Sequence, residues 1–121
     1  MPLTEVHARL ANTALFFFLI MSIWGTWRFL RKRGLEGSYW GALVIAELLI
    51  LVQGGLGAYL WLIGLRPMRS IHILYGVVSA LALPLAFAYT KGREGRPEML
   101  IYTVTLLITV GLILRAMFTG G

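Results

Sequence analysis

Four apolar runs of near-equal length limit what this chain can fold into before any motif is considered. They cover roughly residues 10–30, 40–63, 71–89 and 99–118. About 20 residues at 1.5 Å rise cross the ~30 Å hydrocarbon layer of a bilayer, and each run is close to that length. A soluble domain this small must cover its outside with charge. Here 59% of the 121 residues are hydrophobic, 13% are charged, and the mean hydropathy is +0.81, which excludes that class. The expected fold is all-α: an integral membrane four-helix bundle, with residues 1–121 as a single four-span domain. The expected location is the cell inner (plasma) membrane, as a multi-pass protein with membrane lipid around it.

The chain has no cysteine, so disulfides, thiolate metal sites and covalent c-type attachment of a porphyrin are excluded. Its first residues do not read as a cleaved signal peptide, because polar and acidic residues stand where a basic region would lie. The net charge of +6 could suggest nucleic acid. The basic residues cluster at the ends of the apolar runs, however, where orientation and lipid headgroups account for them. Arg28, Arg31, Lys32, Arg33, Lys91, Arg93 and Arg96 flank the first and third loops, seven in all. Arg9, Arg66, Arg69 and Arg115 lie at the other end, which makes four. Seven against four predicts cytoplasmic first and third loops and both termini outside.

The first helix is expected to begin at Pro2 and Thr4, with Thr4 as N-cap and Glu5 in its first turn. Trp24 and Trp27 lie toward its far end, and Tyr39 and Trp40 open the second helix as interface aromatics. Loops are expected over 34–38, 65–70 and 91–97. Pro84 falls inside the third helix, where a kink is expected. Gly120-Gly121 reads as a frayed end.

The only two histidines, His7 and His72, each open an apolar run. The runs that carry them point the same way, so both imidazoles should lie at one depth near the outer face. The residues at i+4 and i+7 share the histidine's face. They are Ala11 and Ala14 below His7, and Gly76 and Ser79 below His72, with the larger Phe18 and Leu83 next. A flat macrocycle needs this arrangement: an imidazole from each side for its iron, above a slot without bulky side chains. An interfacial histidine can also serve as a plain polar residue, but two at matched depth above matched small residues favour ligation. The expected cofactor is haem b, with its iron held by His7 and His72. Two imidazoles leave no open position on that iron, which suits electron transfer. Arg9, Arg66 and Arg69 are candidates for the carboxylate propionates, which guanidinium binds as a fork. Gln53 and Gly57 lie on the second helix at the same level.

These residues carry a resemblance. Val52-Gln53-Gly54-Gly55-Leu56-Gly57 resembles the Gln- and Gly-rich helix segment of the haem A synthase family. Arg69-Ser70-Ile71-His72-Ile73-Leu74 resembles the histidine helix that follows it there, and Glu5-Val6-His7-Ala8-Arg9 the start of an earlier helix. The family fold is two four-helix halves in tandem, each with a histidine pair, so the resemblance implies one half or a dimeric relative. The sequence departs from that family's pattern in three places. Glu5 stands two residues before the histidine rather than three, Arg9 two after rather than one, and the external cysteine pair is absent.

Glu47 is a carboxylate about 12 Å into the second helix by helical rise, and a buried ionisable group in a span is a functional candidate. Its face continues through Gly54 and Ala58, so it is expected to point into the bundle. It would serve proton or quinol chemistry, or hydrogen-bond a neighbouring helix. Thr103, Thr105 and Thr109 are expected to bond their own i−4 carbonyls.

The leading expectation is an electron-transfer subunit of a respiratory or photosynthetic complex rather than a stand-alone enzyme, and no catalytic residue is assigned. Its partners would be other membrane subunits or a second copy, with a quinone as a further candidate and no nucleic acid. The alternatives are a half-size haem A synthase-like enzyme, a small proton-coupled transporter using Glu47, and a cofactor-free structural subunit.

Overall fold

The computed structural model describes residues 2–67 and 69–120. Four helices follow one another: α1 (Leu3–Leu30), α2 (Gly37–Leu62), α3 (Ile71–Thr90) and α4 (Arg96–Gly120). All four are long and apolar enough to cross a membrane. Lipid offers no partner to a bare amide or carbonyl, so a spanning segment closes its hydrogen bonds within itself. Large apolar side chains accordingly face outward along every helix, among them Phe16, Ile20, Leu48, Leu62, Leu85, Ile108 and Phe118.

Each helix packs on its two neighbours in a ring: α1 on α2 and α4, and α3 on α2 and α4. The α1–α3 and α2–α4 pairs are therefore diagonals. The α2–α3 seam is the loosest, and α4 is the most enclosed helix. Four alternating crossings leave both chain ends at the end of the bundle that also holds the 63–70 linker. The core is one cluster, built from Ala14, Phe18 and Met21 of α1, Leu43, Ala46 and Ile50 of α2, Leu83 of α3, and Met99, Tyr102 and Leu106 of α4. Most buried serine and threonine hydroxyls bond within their own helix. Ser22, Thr103, Thr105 and Thr109 each donate to the carbonyl four residues back, at 2.7–2.8 Å, as the sequence led us to expect for the threonines.

The end opposite the histidines is tied by polar contacts. The buried Arg28 guanidinium donates twice to the Gly34 carbonyl (3.0 and 2.6 Å) and once to Glu36 (2.9 Å). Leu35 donates its amide to the Glu94 carbonyl at 2.9 Å, and Arg96 reaches the Phe29 carbonyl at 2.9 Å. Arg28 is thus a structural clamp as well as part of the charge bias. Gly34 makes this junction possible, because a Cβ there would overlap the Glu94 carbonyl oxygen. Inside the bundle, the Tyr39 hydroxyl donates to the Met21 carbonyl at 3.0 Å.

Helix α3 runs through Pro84 to Thr90, with the proline in its interior as the sequence implies. Two boundaries differ from expectation. Pro2, not Thr4, stands at the N-cap of α1, and no side chain caps that end. Proline there costs nothing, because its missing N–H is one the helix leaves unpaired in any case. At the other terminus α4 stays helical through Gly120, and the Thr119 carbonyl accepts the Arg69 amide at 3.0 Å. That residue is packed, not frayed; Gly121 lies outside the described residues.

Gly34→Ala should lower the thermal midpoint in detergent, with a destabilisation of about 2 kcal/mol, because the obstacle is backbone that must shift. Gly41→Ala, where nothing lies within 4 Å of the added carbon, should leave the midpoint unchanged or raise it. Circular dichroism melts of the two variants provide the comparison.

Candidate functional site

Both histidines lie in the first turns of helices on opposite corners of the bundle, and both are half-buried. Their rings meet across the diagonal with centroids 6.2 Å apart and planes at 74°. Beneath them the two faces behave as the i+4 and i+7 positions imply. Ala11 is half-buried, Ala14 and Ser79 are buried, and Phe18 and Leu83 close the core below. Gly76 is the exception. It is exposed, and a Cβ there would meet nothing within 4 Å, so the α3 side of the site opens outward one turn below His72.

Each ring rests on a glycine. A Cβ on Gly57 of α2 would stand 3.2 Å from His7 Cε1, and one on Gly120 of α4 would stand 2.6 Å from His72 Cε1 and 2.8 Å from Nδ1. Sequence alone could not say whether Gly57 made room for a helix or for a ligand; here it makes room for the imidazole. Gln53, one turn earlier on the same helix, donates its amide to the His7 carbonyl at 2.6 Å, which anchors α1 to α2 at the level of the ring.

The two histidines have different surroundings. His72 Nδ1 lies 2.7 Å from the Ala116 carbonyl and 3.5 Å from the Thr119 hydroxyl. A carbonyl can only accept, so Nδ1 carries a proton, and a neutral ring then has its lone pair on Nε2. A metal-binding histidine is set in the same way, with one ring nitrogen donating to a backbone carbonyl while the other is left to the metal. His7 Nδ1, in contrast, is buried without a partner. Among the described residues, three buried side-chain polar atoms lack one: His7 Nδ1, Gln53 Oε1 and Glu47 Oε1. Two of the three are at this site, and a buried polar atom without a partner calls for an explanation.

The candidate propionate ligands divide. Arg9 pairs with Glu5 one turn away at 2.8 Å, and both side chains are largely exposed. The Arg66 guanidinium lies 3.6 Å over the Trp61 ring, and that of Arg115 lies 6.0 Å over Tyr75. Arg69 is exposed and has no such ring or carboxylate partner among the described residues. Ala116, Thr119 and Gly120 belong to the site but were missed in the sequence. Their signal, small residues in the last turns of α4, could not be read without knowing that α4 closes against α3.

Among the described residues no three His, Asp or Glu side chains gather around a common point. The protein therefore offers two imidazoles only. Comparison of the chain with family models, curated proteins and solved structures finds no match.

Helices that hold His72 as described require the Nδ1–H tautomer. Histidine ¹⁵N spectra of the protein in detergent, without added ligand, should show one ring with a protonated Nδ1 and a bare Nε2. Gly120→Ala should abolish that pattern by driving the ring from the Ala116 carbonyl. An Nε2–H tautomer at His72 in the unsubstituted protein would contradict the arrangement.

Proposed function

We propose that the chain is an integral membrane b-type haem protein, ligated by His7 and His72, and that it carries electrons. The observation that supports this reading is the 6.2 Å between the ring centroids. An imidazole nitrogen binds a metal at about 2 Å, which puts the ring centre about 3 Å from it. Two rings on opposite sides of one ion therefore have centres about 6 Å apart. Rotation about each metal–nitrogen bond is free, so rings at 74° serve as well as parallel ones. A lone pair of imidazoles is a poor site for a free ion, whereas a porphyrin brings its own four equatorial donors. The residues present fit that group on three counts: the ring separation, the bare Nε2 of His72, and the unpartnered His7 Nδ1.

The chain's own residues then have separate tasks. Ala116 sets the tautomer of His72, Gln53 holds the backbone of His7, and Gly57 and Gly120 let both rings approach. Ala11, Ala14 and Ser79 present only small side chains beneath the rings, and Ala14 and Ser79 are themselves covered by the core. Arg69, the arginine free of a ring or carboxylate, is the first choice for a propionate. Held by His7 and His72, the haem would supply one-electron storage. The resemblance to one half of haem A synthase suits such a pocket. Synthase chemistry suits it less well, because Glu5 is committed to Arg9 and lies off the His7 face. The charge bias supports cytoplasmic loops at 31–36 and 91–95, which would set the site near the outer face; a plasma-membrane location and other membrane subunits as partners complete the reading.

The test is a visible spectrum of protein expressed with haem available and purified in detergent. It should show a reduced α-band of b type at about one haem per chain, with the low-spin signature of two nitrogen ligands. His72→Ala and His7→Ala should each lose the haem or turn it high-spin, while remaining helical. Haem-free wild-type protein, or full low-spin occupancy in His72→Ala, would refute the reading.

A further inference from the structure

Away from the histidines, the looser α2–α3 seam opens into a groove of about 200 Å3, lined by Trp40, Val44, Glu47, Pro84, Phe87 and Tyr102, among others. Its walls are almost wholly apolar apart from Glu47. The sequence pattern put Glu47 on an inward face with Gly54 and Ala58. In the structure those two are exposed, and Glu47 is half-buried at the seam. Nor does it hydrogen-bond a neighbouring helix: Oε1 is buried and unpartnered.

Three aromatic rings gather at one end of the groove. Trp40 meets Phe87 at 5.9 Å and Tyr102 at 5.5 Å, both edge-on. The Tyr102 hydroxyl is already committed to Thr90 at 3.1 Å. A molecule that fits must therefore bring a flat aromatic body for these rings and a hydroxyl or carbonyl for the carboxyl, and must arrive through lipid. A lipid acyl chain satisfies the walls but leaves the carboxyl bare in hydrocarbon, which is costly.

We infer that this groove is a binding site for the head of an isoprenoid quinol or quinone, with Glu47 as its hydrogen-bond partner. A neutral carboxyl both donates and accepts, so it serves either form of the ring. The Trp40, Phe87 and Tyr102 rings hold the head edge-on, and the isoprenoid tail leaves through the open seam into the bilayer. Glu47 is ten residues from the Gly57 that supports His7, about 15 Å along α2. The inference goes beyond the haem reading and does not depend on it, because the groove and the histidines share no lining residue.

Binding is measured on haem-free protein in nanodiscs, with a short-tailed benzoquinone and its reduced form as probes and quenching of tryptophan fluorescence as the readout. Wild-type protein should bind both saturably. Glu47→Leu, which keeps bulk and loses the polar partner, should bind at least ~10-fold more weakly, the usual worth of one such bond. Glu47→Gln, which still donates and accepts, should stay within about threefold. Val44→Trp fills the groove from its exposed wall and should abolish binding with the carboxyl intact. Equal affinity in wild type and Glu47→Leu would overturn the inference and leave an acyl-chain groove, as would the absence of saturable binding in the wild type. Retention of the haem spectrum in Glu47→Leu keeps this outcome separate from that of the histidine site.

Discussion

Everything in this molecule follows from the absence of any hydrogen-bond partner for the backbone in lipid. That constraint turns each apolar run into a helix and sends the large side chains outward. It also removes the usual drive to bury them, since lipid tails are as apolar as leucine. What remains to hold the helices together is close packing and a few polar ties. The structure shows both. Small residues such as Ala14 and Ala46 let large ones such as Phe18, Met99 and Tyr102 pack in the interior, and Arg28 with the Leu35–Glu94 backbone bond ties the two linkers at one end. Most serine and threonine hydroxyls of the interior turn back on their own helices, and the cross-links come from Tyr39 to Met21 and from Tyr102 to Thr90.

Against that economy, side chains that keep a buried polar atom unpaired stand out. His7, Gln53 and Glu47 are three such groups, and each has an expensive alternative to finding a partner. Two of them lie at the diagonal where the histidines meet, and the third lies in the groove of the loosest seam. The unpaired polar atoms of the bundle thus fall at two places, and the groove at Glu47 has open space beside it.

The two places differ in design. At the histidines the surroundings are set in advance: Gly57 and Gly120 admit the rings, Gln53 fixes the backbone, and the Ala116 carbonyl selects the tautomer of His72. At Glu47 the walls are apolar rings and the one carboxyl is unheld, which suits a molecule that enters and leaves through lipid.

Much of this was legible in the sequence because period and length are local properties. Four runs of about 20 apolar residues fixed the number of helices, and the co-directional first and third runs put both histidines at one depth. The small residues at i+4 and i+7 marked the histidine faces, although Gly76 turned out to border open space. What the sequence could not contain was which helices touch. That α3 closes against α4, bringing Ala116 and Gly120 to His72, depends on packing between segments some 40 residues apart, and nothing local announces it. The same is true of the gap between α2 and α3, which moved Glu47 from an inward face to the wall of a groove. Helix existence was decided by each segment's contract with lipid; the surroundings of every polar side chain were decided only when four such segments shared their interior.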